Sequence, residues 1–316
     1  MGGCSYDRDV YSSSSSSGWG SSYGGSSYAS SKLSATTLSS DMKANKRIKS
    51  TSKTPIVIAL DVTGSNISFA RIVYDKMPML YGQIEQKGYL KDFDICFMAI
   101  GDVYSDNYPL QVAEFAKGIE LDSWLEKVVL EGCGGGNGGE SYELGAYYLT
   151  KYMDMDKDAK PIIFFLGDEP THGAVTPSNA KAVGMECNET VTDVWKQLRN
   201  KAHENVFMML NKYNGSSFDT ETTEHWTNLL AQDHVIQVGE PAAIVDLLLG
   251  VISMVSQSRD LETYMIDMKD RGQTQKRIDG VSSSLKNLST SLVPVNIDGT
   301  IATTATNKSS SKAKRL

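Results

Sequence analysis

Three short polar clusters hold the side chains best suited to chemistry. Asp61-Val62-Thr63-Gly64-Ser65 offers a carboxylate and two hydroxyls within one turn-like stretch. Asn137, Glu140 and Ser141 stand at the end of a glycine-rich segment, and Asp168 follows Gly167 at the end of an apolar run. Asp61 and Asp168 are hard oxygen donors. Thr63 and Ser65 lie two apart, so both hydroxyls can face one point, and Gly64 between them lets the backbone bend closely. Hydroxyls with a few carboxylates suit Mg²⁺, which keeps waters and accepts an outside oxygen; Mn²⁺ and Ca²⁺ are the alternatives. Two carboxylates left facing each other repel, and a divalent ion removes that cost. No His/Cys set has zinc spacing.

The elements between these clusters must bring them together. Ile56 to Leu60 is a continuous apolar run, the mark of a strand buried on both faces. The pattern then predicts a helix over 67–87 with Pro78 as a bending point, a strand over 93–100, an edge strand over 112–115 and a helix over 122–129. Further on it predicts a helix over 140–152, a strand over 161–166, a long loop over 170–189 and a helix over 190–203. Strands over 206–210 and 235–238 flank a helix over 221–231, and a last helix covers 241–256. Strands alternating with helices imply an α/β fold: a three-layer, Rossmann-like, mostly parallel sheet with helices on both faces. In such sheets ligands bind beyond the carboxyl ends of the strands, where Asp61 and Asp168 fall and where short turns can bring the glycine-loop cluster.

Composition sets the boundaries. Residues 1–54 are dominated by Ser, Gly and Tyr, with serines throughout 12–17, and offer too little apolar surface to repay ordering. Residues from about 281 onward are again Ser/Thr/Asn/Lys-rich. The domains are therefore a disordered leader over 1–54, one folded domain over 55–258, and over 259–316 a helical extension followed by a disordered basic tail. Of the net charge of −7, the two flanks each carry +4, leaving −15 on the central domain. That acidic balance argues against a nucleic-acid groove on the domain itself and is compatible with cation binding. Cys4, Cys96, Cys133 and Cys187 form no C-x-x-C pair, which suits free thiols in a reducing compartment, so a cytoplasmic location is expected. The start of the chain lacks an apolar signal segment, and the longest apolar run, Ala242 to Val255, contains Asp246 and reads as a buried helix, not a membrane span.

Asp61-Val62-Thr63-Gly64-Ser65 resembles the D-x-[ST]-x-S signature of von Willebrand factor A domains. Gly134-Gly135-Gly136-Asn137-Gly138-Gly139-Glu140 and Asp168-Glu169-Pro170-Thr171-His172-Gly173 then follow in order, as in the branch of that family found beside alpha-kinase domains and in related bacterial proteins. The resemblance implies a metal-ion-dependent adhesion site. Thr63 and Ser65 would bind the ion directly, and Asp61 and Asp168 would act through water. The family's usual Thr in the second motif is missing, so Asn137 or Glu140 must substitute. It also implies a binding module, not an enzyme: a partner protein offers a carboxylate to the ion. The partner class it suggests is an ATPase or kinase on another chain.

Two other readings stay open. Asp61 could be the nucleophile of a haloacid-dehalogenase-like Mg²⁺-dependent phosphohydrolase, although residues 171–178 lack the second acid that such a site wants. Alternatively the domain is structural and its metal site vestigial. His172, with no nucleophile paired to it in sequence, reads as a structural histidine packing its loop. The glycine cluster lacks the G-K-[ST] ending of a phosphate loop.

Overall fold

A computed structural model describes residues 35–132, 138–212 and 215–292. Asn137, Cys4, Cys133, residues 1–34 of the leader and 293–316 of the tail lie outside the described residues.

The central sheet has six strands: β2 (Thr54–Asp61), β3 (Phe93–Ile100), β4 (Leu110–Val112), β6 (Ile162–Gly167), β7 (Val206–Asn211) and β8 (Val235–Val238). Their order is β4-β3-β2-β6-β7-β8, all neighbours parallel except the antiparallel edge pair β3–β4. Strands β2, β3 and β6 are buried along nearly their whole length, as their unbroken apolar runs require of strands covered on both faces.

Alternate residues feed two cores. Ile56, Ile58, Leu60, Phe164 and Leu166 pack with α1 (Ile67–Lys87) and α7 (Ile244–Val255) on one face. Val57, Ala59, Ile163 and Phe165 pack on the other with α3 (Tyr142–Tyr152), α5 (Val194–Lys201) and α6 (Ser217–Leu230). The result is a three-layer α/β fold with a mostly parallel sheet. Two short helices, α2 (Glu120–Leu125) and α4 (Pro177–Ala182), lie in the connections, the latter inside a stretch read from sequence as loop. The long α1 runs through Pro78 and ends at Gly88, whose left-handed conformation (φ 65°) accommodates the last turn.

Both domain boundaries move outward. Residues 35–54, expected in the unstructured leader, are folded onto the domain: Met42, Ala44 and Ile48 are buried, and β1 (Ile48–Lys49) pairs in parallel with β5 (Met153–Asp154). Composition hid them because these few apolar residues are scattered among Ser and Lys. At the other end, the expected helical extension is α8 (Leu261–Asp270), and a further helix, α9 (Gln275–Ser291), lies where a tail was expected. Tyr264, Met268, Ile278, Val281, Leu285 and Leu288 complete the core over α1 and α7. Gly250 of α7 makes room, since a Cβ there would collide with Leu285 and Tyr264. A buried ion pair, Arg271 Nη2 to Asp246 Oδ1 at 2.9 Å, ties the end of α8 to α7.

Candidate functional site

The chain leaves β2 toward β3 and β4, then returns to β6 on the other side of β2. That reversal is a topological switch point, where an open α/β sheet leaves a crevice beyond its carboxyl ends. Asp61 ends β2 and Asp168 directly follows β6, so both carboxylates stand at this point.

Asp61 is fully buried. Its Oδ1 accepts the Thr63 backbone N–H at 2.8 Å and the Thr63 hydroxyl at 2.6 Å, while its Oδ2 accepts the Tyr142 hydroxyl at 2.8 Å. Donating that proton leaves the lone pairs of Thr63 Oγ1 as acceptors for a further group. Asn66 closes the turn: its Nδ2 donates to the Asp61 carbonyl at 3.0 Å, and its own backbone N–H donates to the Thr63 carbonyl at 3.2 Å. Ser65 is exposed, and its hydroxyl donates to Asp168 Oδ1 at 3.2 Å. The first and third sequence clusters therefore meet.

The second cluster arrives through backbone pairing. Glu140 N donates to the Pro170 carbonyl at 3.0 Å and its carbonyl accepts His172 N at 3.3 Å, a short parallel bridge that fixes the end of the glycine stretch against the loop after β6. The Glu140 side chain is fully buried, and neither carboxylate oxygen has a hydrogen-bond partner among the described residues. The same holds for Asp168 Oδ2 and Glu169 Oε2. Ser141 turns away: its hydroxyl accepts the Val103 N–H at 2.9 Å and faces Asp102 at 3.4 Å.

Buried acids this close cannot all ionise. Loss of hydration pushes the Asp61 carboxyl up, against the pull of hydrogen bonds from Thr63, Tyr142 and Asp168. Burial first, then the charges of Asp61 and Glu169, push Asp168 up to about 8 and Glu140 up to about 10. Glu169 is raised by burial and by the charges of Asp61 and Asp102. The protonated form of these carboxyls is therefore favoured at this pole of the sheet.

Sequence reasoning passed over several members of the arrangement. Asp102 follows β3 as Asp168 follows β6, and the repeated Gly-Asp at a strand end was the available signal. Its Oδ1 lies 3.0 Å from His172 Nε2, and the His172 ring meets Tyr104 edge-on at 5.0 Å. No pattern marks Tyr142, one of several tyrosines on α3. Among the described residues no three His, Cys, Asp or Glu side chains converge closely enough to hold an ion by themselves. The hydroxyls of Thr63 and Ser65 stand at the same pole, hydrogen-bonded to Asp61 and Asp168.

No protein-family profile matches the chain, and no curated protein does. Similar solved structures include the pilus adhesin SpaC from Lactobacillus rhamnosus GG in its open conformation, at 10% identity and TM-score 0.43, covering 66% of this chain and 31% of that one. Proximal thread matrix protein 1 from the mussel byssus is similar at 11% identity and TM-score 0.42, with 66% and 48% covered. A further structure of that mussel protein, with a zinc-occupied MIDAS motif, stands at 10% identity and TM-score 0.42, with 66% and 49% covered. The chain thus spans between about a third and a half of the length of these proteins. Among the described residues no helix is long and apolar enough to cross a membrane.

Proposed function

We propose that this chain is a divalent-cation-dependent protein-binding module whose site is built from Asp61, Thr63, Ser65, Glu140 and Asp168. One observation carries the reading. The Glu140 carboxylate is fully buried without a hydrogen-bond partner among the described residues, at the pole where Asp61 and Asp168 are also buried. An unpaired buried carboxylate is costly, and a cation is the group that would satisfy several at once. The residues present fit one: Thr63 and Ser65 offer hydroxyl oxygens, and Asp168 and Glu140 offer carboxylate oxygens. Mg²⁺ suits this oxygen-only set, with Mn²⁺ or Ca²⁺ as alternatives.

A bound ion would offset the acidic charge and leave a coordination position for an oxygen of a partner's carboxylate. The chain's own part is to hold that position open. Asn66 and the Asp61 hydrogen bonds fix the turn, and the Glu140–His172 bridge fixes the facing loop. The exposed Ser65 marks the side open to a partner. Such a partner is a protein with an accessible Asp or Glu, for which the family resemblance suggests an ATPase or kinase, in a cytoplasmic setting. Both Asp61 oxygens already accept hydrogen bonds and the side chain is fully buried, which disfavours its use as a phosphohydrolase nucleophile.

Thermal unfolding tests the reading. Millimolar Mg²⁺ or Mn²⁺ should raise the melting temperature, with about 2.7 kcal/mol of stabilisation at a hundredfold excess over Kd. Acetate added to the Mn²⁺-loaded protein, as the smallest partner carboxylate, should raise it further. Asp61→Ala should remove both effects. Equal melting with metal and with chelator would leave the domain structural and its site vestigial.

A further inference from the structure

We propose that Tyr142 is the positioning residue of this site, setting the direction of the Thr63 hydroxyl through Asp61; the inference rests on the cation-binding reading above. Tyr142 begins α3 and is fully buried. Its ring meets Trp226 edge-on at 5.3 Å and Phe165 at 6.4 Å, so packing on two sides holds the phenol in place. From there the hydroxyl passes over the end of β6 to Asp61. It can do so because residue 167 is glycine: a Cβ there would collide with the Tyr142 hydroxyl. The close approach of α3, β6 and β2 is thus matched to one hydrogen bond.

That bond divides the labour at Asp61. Oδ1 takes both donors from Thr63, and Oδ2 takes Tyr142. With an acceptor bond on each oxygen, the carboxylate plane cannot rotate freely about its terminal torsion, which is otherwise broad. A fixed Oδ1 fixes the Thr63 hydroxyl proton, and the Thr63 oxygen then presents its lone pairs in one direction. Without the phenol oxygen, Oδ2 loses its Tyr142 hydrogen bond, and the carboxylate is released to turn, taking the Thr63 hydroxyl with it. Partners that hold ligating groups from behind commonly tune metal affinity about 10–100-fold.

The experiment is direct Mn²⁺ titration of the full chain, by calorimetry or by the paramagnetic resonance of free Mn²⁺. Tyr142→Phe keeps the ring and removes one oxygen. It should weaken Mn²⁺ binding about tenfold or more. Tyr148→Phe is the control: this other buried tyrosine of α3 donates to the Lys46 carbonyl at 2.9 Å, away from the site, and should leave Mn²⁺ affinity unchanged. A merely structural role for Tyr142 would lower the metal-free melting temperature and spare the Mn²⁺ affinity. Wild-type affinity in Tyr142→Phe overturns the inference while leaving the cation site standing. Failure of the wild type to bind Mn²⁺ removes both. Should Tyr142→Phe melt too low to titrate, Gly167→Ala, which displaces the hydroxyl, must show the loss, and wild-type affinity there also overturns it.

Discussion

Glu140→Gln separates a buried acid that awaits a cation from one that merely packs. The side chain is fully buried, both its oxygens lack partners among the described residues, and its carboxyl is pushed up to about 10. At neutral pH and without metal, the folded protein must therefore keep Glu140 protonated, whereas the unfolded chain ionises it. Neutrality lies about 2.5 pH units above the ordinary glutamate value, and each unit is about 1.4 kcal/mol, so the fold loses about 3 kcal/mol of stability to this residue. Glutamine has nearly the same shape and no proton to acquire. In the presence of chelator, Glu140→Gln should consequently melt higher than the wild type. At about 2–4 °C per kcal/mol for a domain of this size, the rise is about 6–12 °C. With saturating Mg²⁺ the order should narrow or invert, because the wild type gains a charged ligand for the ion and the variant only a neutral one. Paired melting curves, each with chelator and with millimolar Mg²⁺, read both effects. A variant that melts lower than wild type in chelator would show that the carboxylate is satisfied where it stands. An unchanged Mg²⁺ gain would show that Glu140 does not face the ion. Either result refutes the argument.

Other consequences follow from the same groups. Because the Asp168 and Glu140 carboxyls are raised in the fold, their stability contribution is complete below the ordinary carboxylate range and is lost as pH rises toward about 8 and about 10; the metal-free protein should melt progressively lower from about pH 5 to pH 9. The Mg²⁺-dependent rise in melting temperature should grow over the same interval, and a pH-independent rise would contradict the assignment of these acids to the ion. Incubation with p-nitrophenyl phosphate and Mg²⁺ should give no turnover above that of Asp61→Ala; Asp61-dependent release of nitrophenol would restore the phosphohydrolase reading. Ending the chain at residue 258 removes six buried side chains from the core, each worth about 1.5–3 kcal/mol. That truncated chain should fail to fold cooperatively in circular-dichroism melts, while one ending at residue 292 should match the full protein.

Much of the fold was legible because burial on both faces writes itself as unbroken apolar runs. The strands at 93–100 and 235–238 and the helix at 67–87 fall where their patterns put them, and β2, β6 and β7 differ only at their ends. What composition concealed was apolar residues diluted by small polar ones. In α9, Ile278, Val281, Leu285 and Leu288 form a helical stripe, yet the surrounding Ser, Asn and Thr suggest a tail. Near the N-terminus, Met42 and Ile48 are too isolated to show any period at all. The site divides in the same way. Asp61 and Asp168 announce themselves at strand ends, and Thr63 and Ser65 through their spacing. Glu140 reaches the pole by a backbone bridge to the loop after β6, which no periodicity encodes, and Tyr142 depends on an absent side chain at Gly167 in another element.

Trp226 packs on Tyr142 and donates its indole N–H to the Glu169 carbonyl at 2.9 Å, so the protein already contains a fluorophore wired to the pole of its sheet. Any change in the field or contacts around Asp61 reaches that indole within two neighbouring groups. Emission intensity or colour can therefore follow occupancy in plain buffer without a dye, and the other three tryptophans in the sequence supply the background from which replacing this one with phenylalanine would isolate the signal.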